Sequence, residues 1–351
     1  MNRLDFDICY QAIQQKDTSY VGSFFVAVKT TGIFCRPGCP ARLPKPENVD
    51  FFKSAAECLK HGYRPCKKCK PLSLPGETPP EIAALLLELD KTPDTPIKDQ
   101  NLRDRGLQPE AIRRRFNKHH NMTFHAYQRL LRLNRSYEGL VNGQSVTETA
   151  FASGYESLSG FNTRFKDVLG TPPGNTDQTS PPIVFERFAT PLGPMMAGAF
   201  QEQLCLLEFT DRRGLERELI DLKKRLKTVI LPGQADVITE MRAQLNAYFA
   251  GTLNNFSLPL FTPGTPFQQE VWQQLRTIPY GQTRSYKDQA KILGNPKAIR
   301  AVATANGMNR IAIIIPCHRV IGADGQLVGY AGGLARKKWL LDHEAGATSL
   351  L

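Results

Sequence analysis

No apolar run among the 351 residues reaches the length that spans a bilayer. The opening Met1-Asn-Arg-Leu-Asp-Phe-Asp lacks the basic start and apolar centre of a secretory signal, and no amphipathic basic helix or lipidation signal is evident. A cytoplasmic location with no membrane partner is therefore expected. Acidic residues are comparatively scarce: 33 Asp and Glu against 45 Lys and Arg leave a formal charge of +12 and a pI near 9.3. That balance points to a polyanion, and with membranes set aside the expected polyanion is nucleic acid. The rest is ordinary for a globular chain, with 41% hydrophobic residues and a mean hydropathy of -0.33. The length accommodates roughly two to four domains.

Disulfides are not expected among eight cysteines in a reducing compartment, which leaves metal binding or thiol chemistry. Four of them fall in two close pairs. Cys35-Arg-Pro-Gly-Cys39 and Cys66-Lys-Lys-Cys69 are separated by a segment of about zinc-site length. Four thiolates close a tetrahedral Zn²⁺ site, which can hold together a domain with a small core. On chemistry alone a purely structural zinc, with all four sulfurs inert, accounts for the pattern. Arg36, Arg42, Lys45, Arg64, Lys67, Lys68 and Lys70 lie around the pairs. They can neutralise phosphates, offset thiolate charge, or form a solvated basic face. Cys9, Cys58 and Cys205 read as packing residues.

Cys317 has different surroundings. In Ile311-Ala-Ile-Ile-Ile-Pro-Cys-His-Arg-Val-Ile321 the apolar run Ile313 to Ile315 reads as a buried strand or extended segment. Pro316 cannot donate to a ladder and should end regular pairing there. A thiol is a nucleophile only as thiolate, and the neighbouring His318 and Arg319 charges are expected to lower the pKa that controls it. A small, buried, inert cysteine remains the alternative.

Between these regions lie helical patterns. Pro75-Gly-Glu-Thr-Pro-Pro80 reads as linker, Glu81 to Leu89 as a short helix, and Pro93 and Pro96 as a further break. Leu102-Arg-Asp-Arg-Gly106 leads through a turn into Pro109-Glu-Ala-Ile-Arg-Arg-Arg-Phe116. Val146 to Gly154 similarly leads into Ser157-Leu-Ser-Gly-Phe-Asn-Thr-Arg-Phe165-Lys. Two such units suit paired helix-turn-helix motifs with Arg113, Arg114, Arg115 and Arg164 facing DNA, or an amphipathic bundle of no special function. After the linker Thr176 to Pro182, Ile183 to Phe209 reads as strands and hairpins, and Leu215 to Lys227 and Ile238 to Ala250 as helices.

Several stretches resemble known families. Phe34-Cys-Arg-Pro-Gly-Cys-Pro-Ala-Arg42, Glu47-Asn-Val and Arg64-Pro-Cys-Lys-Lys-Cys-Lys-Pro71 look like the N-terminal domain of the adaptive-response Ada family. There the first cysteine of the quartet, here Cys35, accepts a methyl group from a DNA methylphosphotriester while bound to zinc. Methylation would remove one negative charge from a surface facing phosphates. Charges about 4 Å apart interact by about 4 kcal/mol at an effective dielectric near 20, so a rise in DNA affinity is expected. Met122-Thr-Phe-His-Ala-Tyr127-Gln-Arg-Leu-Leu-Arg132 and Phe161 to Pro172 resemble AraC-type DNA-binding domains. The chain departs from that pattern at Lys98-Asp-Gln-Asn, where an Ala-containing turn is usual. It departs again where Gly-Thr-Pro172 runs into Pro-Gly-Asn-Thr without an aromatic-basic ending.

Pro316-Cys-His-Arg-Val320 resembles the acceptor motif of the O6-alkylguanine-DNA alkyltransferases. The likeness continues through Gly264-Thr-Pro-Phe-Gln-Gln-Glu-Val-Trp272, Ile278-Pro-Tyr-Gly281, Thr283-Arg-Ser-Tyr286, Arg300-Ala-Val, Gly329-Tyr330 and Lys338-Trp-Leu-Leu. By that resemblance Cys317 attacks the alkyl carbon on guanine O6, and O4-methylthymine is a further substrate. His318 takes the thiol proton through a water, Glu344 orients the imidazole, and Asn309 braces the turn. Tyr286 presses on a phosphate, Arg300 fills the space of a flipped base, Tyr330 contacts that base, and Arg319 and the basic residues Arg42, Lys45 and Arg64 meet DNA. Taken singly, the tyrosines read as half-buried aromatics, Arg300 as a surface cation and Glu344 as a helix-end carboxylate.

The implied protein is a multidomain α+β monomer in four parts. Residues 1–75 form a zinc-thiolate domain, 80–175 an all-α AraC-type double helix-turn-helix, 180–262 a ribonuclease-H-like α/β domain, and 263–351 a winged-helix alkyltransferase domain. Its partners are alkylated duplex DNA, a promoter operator and RNA polymerase, its cofactor is one Zn²⁺, and its output is stoichiometric repair with transcription activation by methylated Cys35. A zinc-dependent regulator that binds lesions without transfer, and a repair protein without regulatory output, are the rival readings.

Overall fold

The computed structural model describes residues 5–73, 77–92, 95–120, 122–178, 180–212 and 214–346. The sequence signals at Met1 to Leu4, at Pro75-Gly76 and Pro93, and at Thr179 of the second linker lie outside the described residues. Among the described residues no helix is long and apolar enough to cross a membrane.

The first unit packs helix α1 (Phe6–Gln14) on a sheet of β1 (Phe25–Val28), β2 (Ile33–Cys35), β3 (Val49–Phe52) and, after α2 (Ala55–Lys60), β4 (Arg64–Pro65). The sheet order is β3-β1-β2-β4. Cys9, Ala12 and Ile13 of α1 meet Phe24, Val26 and Val49 in one small core. α2 starts where the sequence supplies a capping box, Ser54 and Glu57 each satisfying the other's backbone N–H. The pairing that matters is β2 with β4. It is parallel, Ile33 opposite Arg64, and the Cys66 amide donates to the Phe34 carbonyl at 2.9 Å. The ends of both strands therefore lie side by side, each followed by a cysteine pair.

The second unit is helical: α3 (Pro80–Lys91), α4 (Asp99–Asp104), α5 (Pro109–His120), α6 (Phe124–Val141), α7 (Val146–Ala152) and α8 (Leu158–Leu169). The 18-residue α6 is its spine. Its Phe124 and Leu131 pack with Ile112 and Phe116 of α5, and its Leu133 and Tyr137 with Phe161 and Phe165 of α8. Gly106 (φ 72°) and Gly154 (φ 70°) follow α4 and α7 in the left-handed region. Glycine adopts it without the Cβ clash, so each short helix turns sharply into the next. Both expected helix-turn-helix units are thus present.

The third region places β5 (Ile183–Thr190), β6 (Gly193–Phe200), β7 (Gln203–Phe209) and, after α9 (Leu215–Leu226), β8 (Ile230–Pro232) in a sheet of order β7-β6-β5-β8. Then come α10 (Asp236–Phe249), α11 (Pro266–Arg276), β9 (Arg284–Ser285), α12 (Tyr286–Ile292), α13 (Ile299–Gly307), β10 (Val320–Ile321) and α14 (Leu334–Glu344). One hydrophobic core runs from Leu192 and Met195 through Tyr248 and Trp272 to Cys317 and Leu340. Residues on either side of position 262 therefore share an interior.

The expected strand before Cys317 is the main correction. Only Ile311 bridges to a strand, opposite Leu207 of β7, and the chain then coils. The Ile314 amide donates to the Ala312 carbonyl at 2.9 Å with Ile313 at φ 72°, a strained turn for a β-branched residue. The Cys317 amide repeats the i to i−2 bond onto Ile315 at 2.8 Å across Pro316. Burial of Ile311, Ile313 and Ile315 supplies the apolar contact that a strand would have supplied, so hydrophobicity alone cannot separate the two.

Candidate active site and metal centre

These two tight turns set Cys317 at the start of a single 3-10 turn, Cys317–Arg319, which enters β10. Asn309 braces them. Its Oδ1 accepts from the Ile311 amide at 3.0 Å, while its Nδ2 donates to the Ile315 carbonyl at 2.8 Å and to Cys317 Sγ at 3.2 Å. The side chain holds the sulfur and both ends of the coil with one amide group.

Glu344, at the end of α14, is the hub of the site. Oε1 accepts from Tyr248 Oη at 2.8 Å and pairs with His318 Nε2 at 2.8 Å. Oε2 accepts from Arg319 Nε at 2.8 Å and the Gly281 amide at 3.2 Å. Burial would raise this carboxyl, but His318 and Arg319 more than offset it and hold it well below the usual range. An ionised Glu344 fixes the proton of His318 on Nε2. It leaves Nδ1 buried and without a partner among the described residues, as a base needs. Burial lowers the pKa of that imidazole against the pull of Glu344, so it rests neutral.

Two expectations fail here. Cys317 is not a standing thiolate: burial pushes its thiol up to about 11, only partly countered by the Asn309 hydrogen bond, with Glu208 pushing the same way. The adjacent His318 and Arg319 pair with Glu344 through Nε2 and through Nε and Nη2, not with the sulfur. Arg319 is also not at a DNA-facing surface. It is 6% exposed, and its Nη1 donates to the Ile278 carbonyl at 2.6 Å. Neighbours in sequence need not be neighbours in charge.

Tyr286 opens α12, and its hydroxyl donates toward the Val328 and Gly329 carbonyls, each at 3.3 Å. Arg300 stands exposed in the first turn of α13. The Tyr330 hydroxyl is buried, with no partner among the described residues. Sequence reasoning missed Tyr248 and Lys337. Lys337 is fully buried, and its ammonium donates to the carbonyls of Val320, Val328 (2.7 Å) and Gly329, tying the segment that carries Tyr330 to α14. Its charge so close to Cys317 had no signal in sequence beyond membership of a Lys-Lys pair.

In the first unit, Cys35, Cys39, Cys66 and Cys69 bring their sulfurs within 4.8 Å of one another. Four convergent soft donors in two short loops fit a tetrahedral zinc ion, and this is the zinc site of the chain. Arg42, Lys45 and Arg64 are exposed, Lys45 with Glu47 3.8 Å away. Arg36 is spent internally, on the Lys70 and Ser73 carbonyls.

In the helical unit the three consecutive arginines do not act alike. Arg113, Arg114, Arg115 and Arg164 are all exposed, but Arg113 pairs with Asp99 and Arg115 with Glu81. Surface pairing of this kind contributes little stability, but it directs two of the three cations toward their own domain.

Three family matches divide the chain along the same lines. Residues 8–71 match the metal binding domain of Ada, 103–179 a helix-turn-helix domain, and 266–346 the DNA-binding domain of 6-O-methylguanine DNA methyltransferase. The bifunctional transcriptional activator/DNA repair enzyme Ada of Escherichia coli K12 is 35% identical over 348 residues, covering 96% of this chain and 95% of that one. A methylated-DNA–protein-cysteine methyltransferase of Shigella flexneri is 44% identical over 46% of this chain and 95% of its own length. The crystal structure of Mycobacterium tuberculosis OGT in complex with DNA shares 42% identity over 48% of this chain and 96% of that one, with a TM-score of 0.42. With near-complete coverage in both directions, the chain belongs to the Ada family of bifunctional transcriptional activators and DNA repair enzymes.

Proposed function

We propose that this chain strips methyl groups from DNA onto two of its own cysteines. Cys317 takes them from O6-methylguanine and O4-methylthymine, and Cys35 from methylphosphotriesters. Methylation of Cys35 then turns the chain into an activator of repair genes. The chain is a methylated-DNA–protein-cysteine methyltransferase. The observation that carries the reading is a buried Cys317 sulfur held by Asn309, next in the chain to a His318 that is paired with Glu344 through Nε2 and has Nδ1 left open.

The chemistry follows from the resting charges. His318 Nδ1 accepts the Cys317 proton through a water as the base approaches, and Glu344 stabilises the imidazolium that forms. The sulfur bonds to the methyl carbon as the carbon–O6 bond breaks, and the electron pair leaves with guanine. The imidazolium proton returns to the departing base, so charge balances. Guanine O6 is unreachable inside the stack, so the base must be flipped, at a cost of a few kcal/mol. To Arg300 we assign the vacated space, to Tyr286 a phosphate and to Tyr330 the extruded base. A methylated sulfur is a poor leaving group, and the reaction ends after one transfer.

Zinc in the Cys35 quartet keeps that sulfur deprotonated and lowers its basicity. Exposed Arg42, Lys45 and Arg64 beside it, with Arg114 and Arg164 on the helical unit, are the cations we assign to DNA. We take domain limits of 1–75, 80–175, 180–262 and 263–351, with a ribonuclease-H-like third part and a winged-helix fourth that share one core. A monomer acting in the cytoplasm, where thiols stay reduced, and contacting RNA polymerase completes the reading.

The test is labelled-methyl transfer from O6-methylguanine duplex and from methylphosphotriester DNA, mapped by peptide mass. One methyl on Cys317 and one on Cys35 is expected, each lost in the corresponding serine variant. Uptake that survives both replacements refutes the proposal, and operator affinity unchanged by Cys35 methylation refutes its regulatory half.

A further inference from the structure

α10 lies before position 262, yet one of its side chains reaches the His318–Glu344 pair. Tyr248, in the last turn of α10, is fully buried, and its hydroxyl donates to Glu344 Oε1 at 2.8 Å. That same oxygen meets His318 Nε2 at 2.8 Å and Arg319 Nη2 at 3.0 Å. Packing does not call for the hydroxyl. The ring centroid lies 5.4 Å from that of Phe256, 5.7 Å from Phe249 and 6.1 Å from Tyr280. A phenylalanine would make the same ring contacts, so the oxygen of Tyr248 serves Glu344.

A donor on Oε1 has a chemical consequence. A carboxylate oxygen that accepts from several donors turns less of its charge toward each one. Tyr248 therefore fixes Oε1 against His318 Nε2 and moderates the pull of that oxygen on the imidazole. An imidazole held too strongly would rest charged, with both nitrogens protonated and no lone pair on Nδ1 to take the Cys317 proton. An imidazole held too weakly would lose the support its cation needs during transfer.

The other ionisable groups facing this pair are Arg319 of the same turn, Lys337 of α14 and Tyr280. His343 of α14 faces Tyr248, its Nε2 2.7 Å from the Tyr248 carbonyl and its ring 5.3 Å away. On the acid side of neutrality Arg319 and Lys337 stay cationic and the tyrosines neutral. Only the two histidines change charge there.

We propose that Tyr248 is a positioning residue of the O6 site, supplied from α10, which holds Glu344 on His318 and limits the proton affinity of that imidazole so that Nδ1 stays open at neutral pH. The inference rests on the proposed transfer to Cys317.

The experiment compares the full-length zinc-loaded protein with Tyr248→Phe, which keeps the ring and loses the donor. A third protein carries at position 248 a tyrosine fluorinated beside its hydroxyl, which donates more strongly. Single-turnover transfer from O6-methylguanine duplex to Cys317 is measured at saturating DNA from about pH 5 to about pH 9. Nitrogen NMR on labelled histidine follows His318 in each protein and separates it from His343. The acid midpoint, in rate and in the His318 resonance, is expected to rise by about one pH unit in Tyr248→Phe and to fall in the fluorinated protein. A role in packing alone does not predict shifts of opposite sign. Coincident midpoints, or a rate lowered by the same factor at every pH, overturn the inference and leave the transfer reading standing. If Tyr248→Phe does not fold, the fluorinated protein decides, and an unmoved midpoint there overturns the inference. Absence of methyl on Cys317 in the parent protein overturns both.

Discussion

At the scale of single residues, Glu344 does more than its position at a helix end foretells. One carboxylate takes hydrogen bonds from Tyr248, His318, Arg319 and the Gly281 backbone. Glu344→Gln should therefore cost about 3 kcal/mol of stability in denaturant titration, since it strands the Arg319 charge in the interior. It should also slow transfer to Cys317 by about a hundredfold, because an amide cannot stabilise the imidazolium. The pH dependence has a definite sign. The folded pKa lies below the ordinary 4.5, so this stabilisation is complete above that pH and drains away as pH falls below it. The variant should lose less stability than its parent on acidification through that range. Lys337 offers a second check. Lys337→Met leaves the buried Val320 carbonyl and the half-buried Val328 and Gly329 carbonyls with one donor fewer each, and should cost about 2 kcal/mol and loosen residues 328–330 in hydrogen exchange.

At the scale of elements, the first unit depends on one pairing. The parallel contact of β2 with β4 is short, and the core around α1 is small. Metal coordination by all four cysteines supplies what that core does not. Removal of zinc by a chelator should unfold residues 25–71, seen as lost amide protection there. Transfer from O6-methylguanine to Cys317 should persist, because the core from Leu192 to Leu340 includes none of those residues. Loss of both activities together would show that the units are not independent. The two turn-linked helix pairs were readable, since Pro109 at a helix start and the turn glycines Gly106 and Gly154 are local signals. The coil before Cys317 was not, because Ile313 is held at positive φ by contacts distant in sequence.

At the scale of the whole molecule, the two acceptor sites are joined by a chain of contacts. Thr18 of the first unit donates to Asp211 Oδ2 at 2.8 Å, and Asp211 pairs with Arg336 of α14 at 2.8 Å. Ser19 fits against Gly333, where a Cβ would approach within 2.6 Å, and Thr18 also backs Gly38 inside the first cysteine pair. Ser19→Trp should separate the first unit from the third. The expected outcome is a larger radius of gyration in small-angle scattering with one methyl still taken at each acceptor. The formal charge of +12 predicts that affinity for undamaged duplex falls by about a thousandfold between roughly 50 and 200 mM salt if six or more phosphates are contacted.

The sequence by itself determined which cysteines matter, that four of them bind metal, that the helical unit carries two turn-linked helix pairs, and that the partner is nucleic acid. These follow from spacing, caps, composition and family resemblance, all local or additive properties. Tertiary structure alone decided that Cys317 rests as a protonated thiol, that Arg319 serves Glu344 and not DNA, and that Arg113 and Arg115 are paired within their domain. It also set Tyr248 on Glu344 and the buried Lys337 on the carbonyls of Val320, Val328 and Gly329. The reason is that pKa and pairing depend on burial and on distances between atoms far apart along the chain, which only the folded core sets.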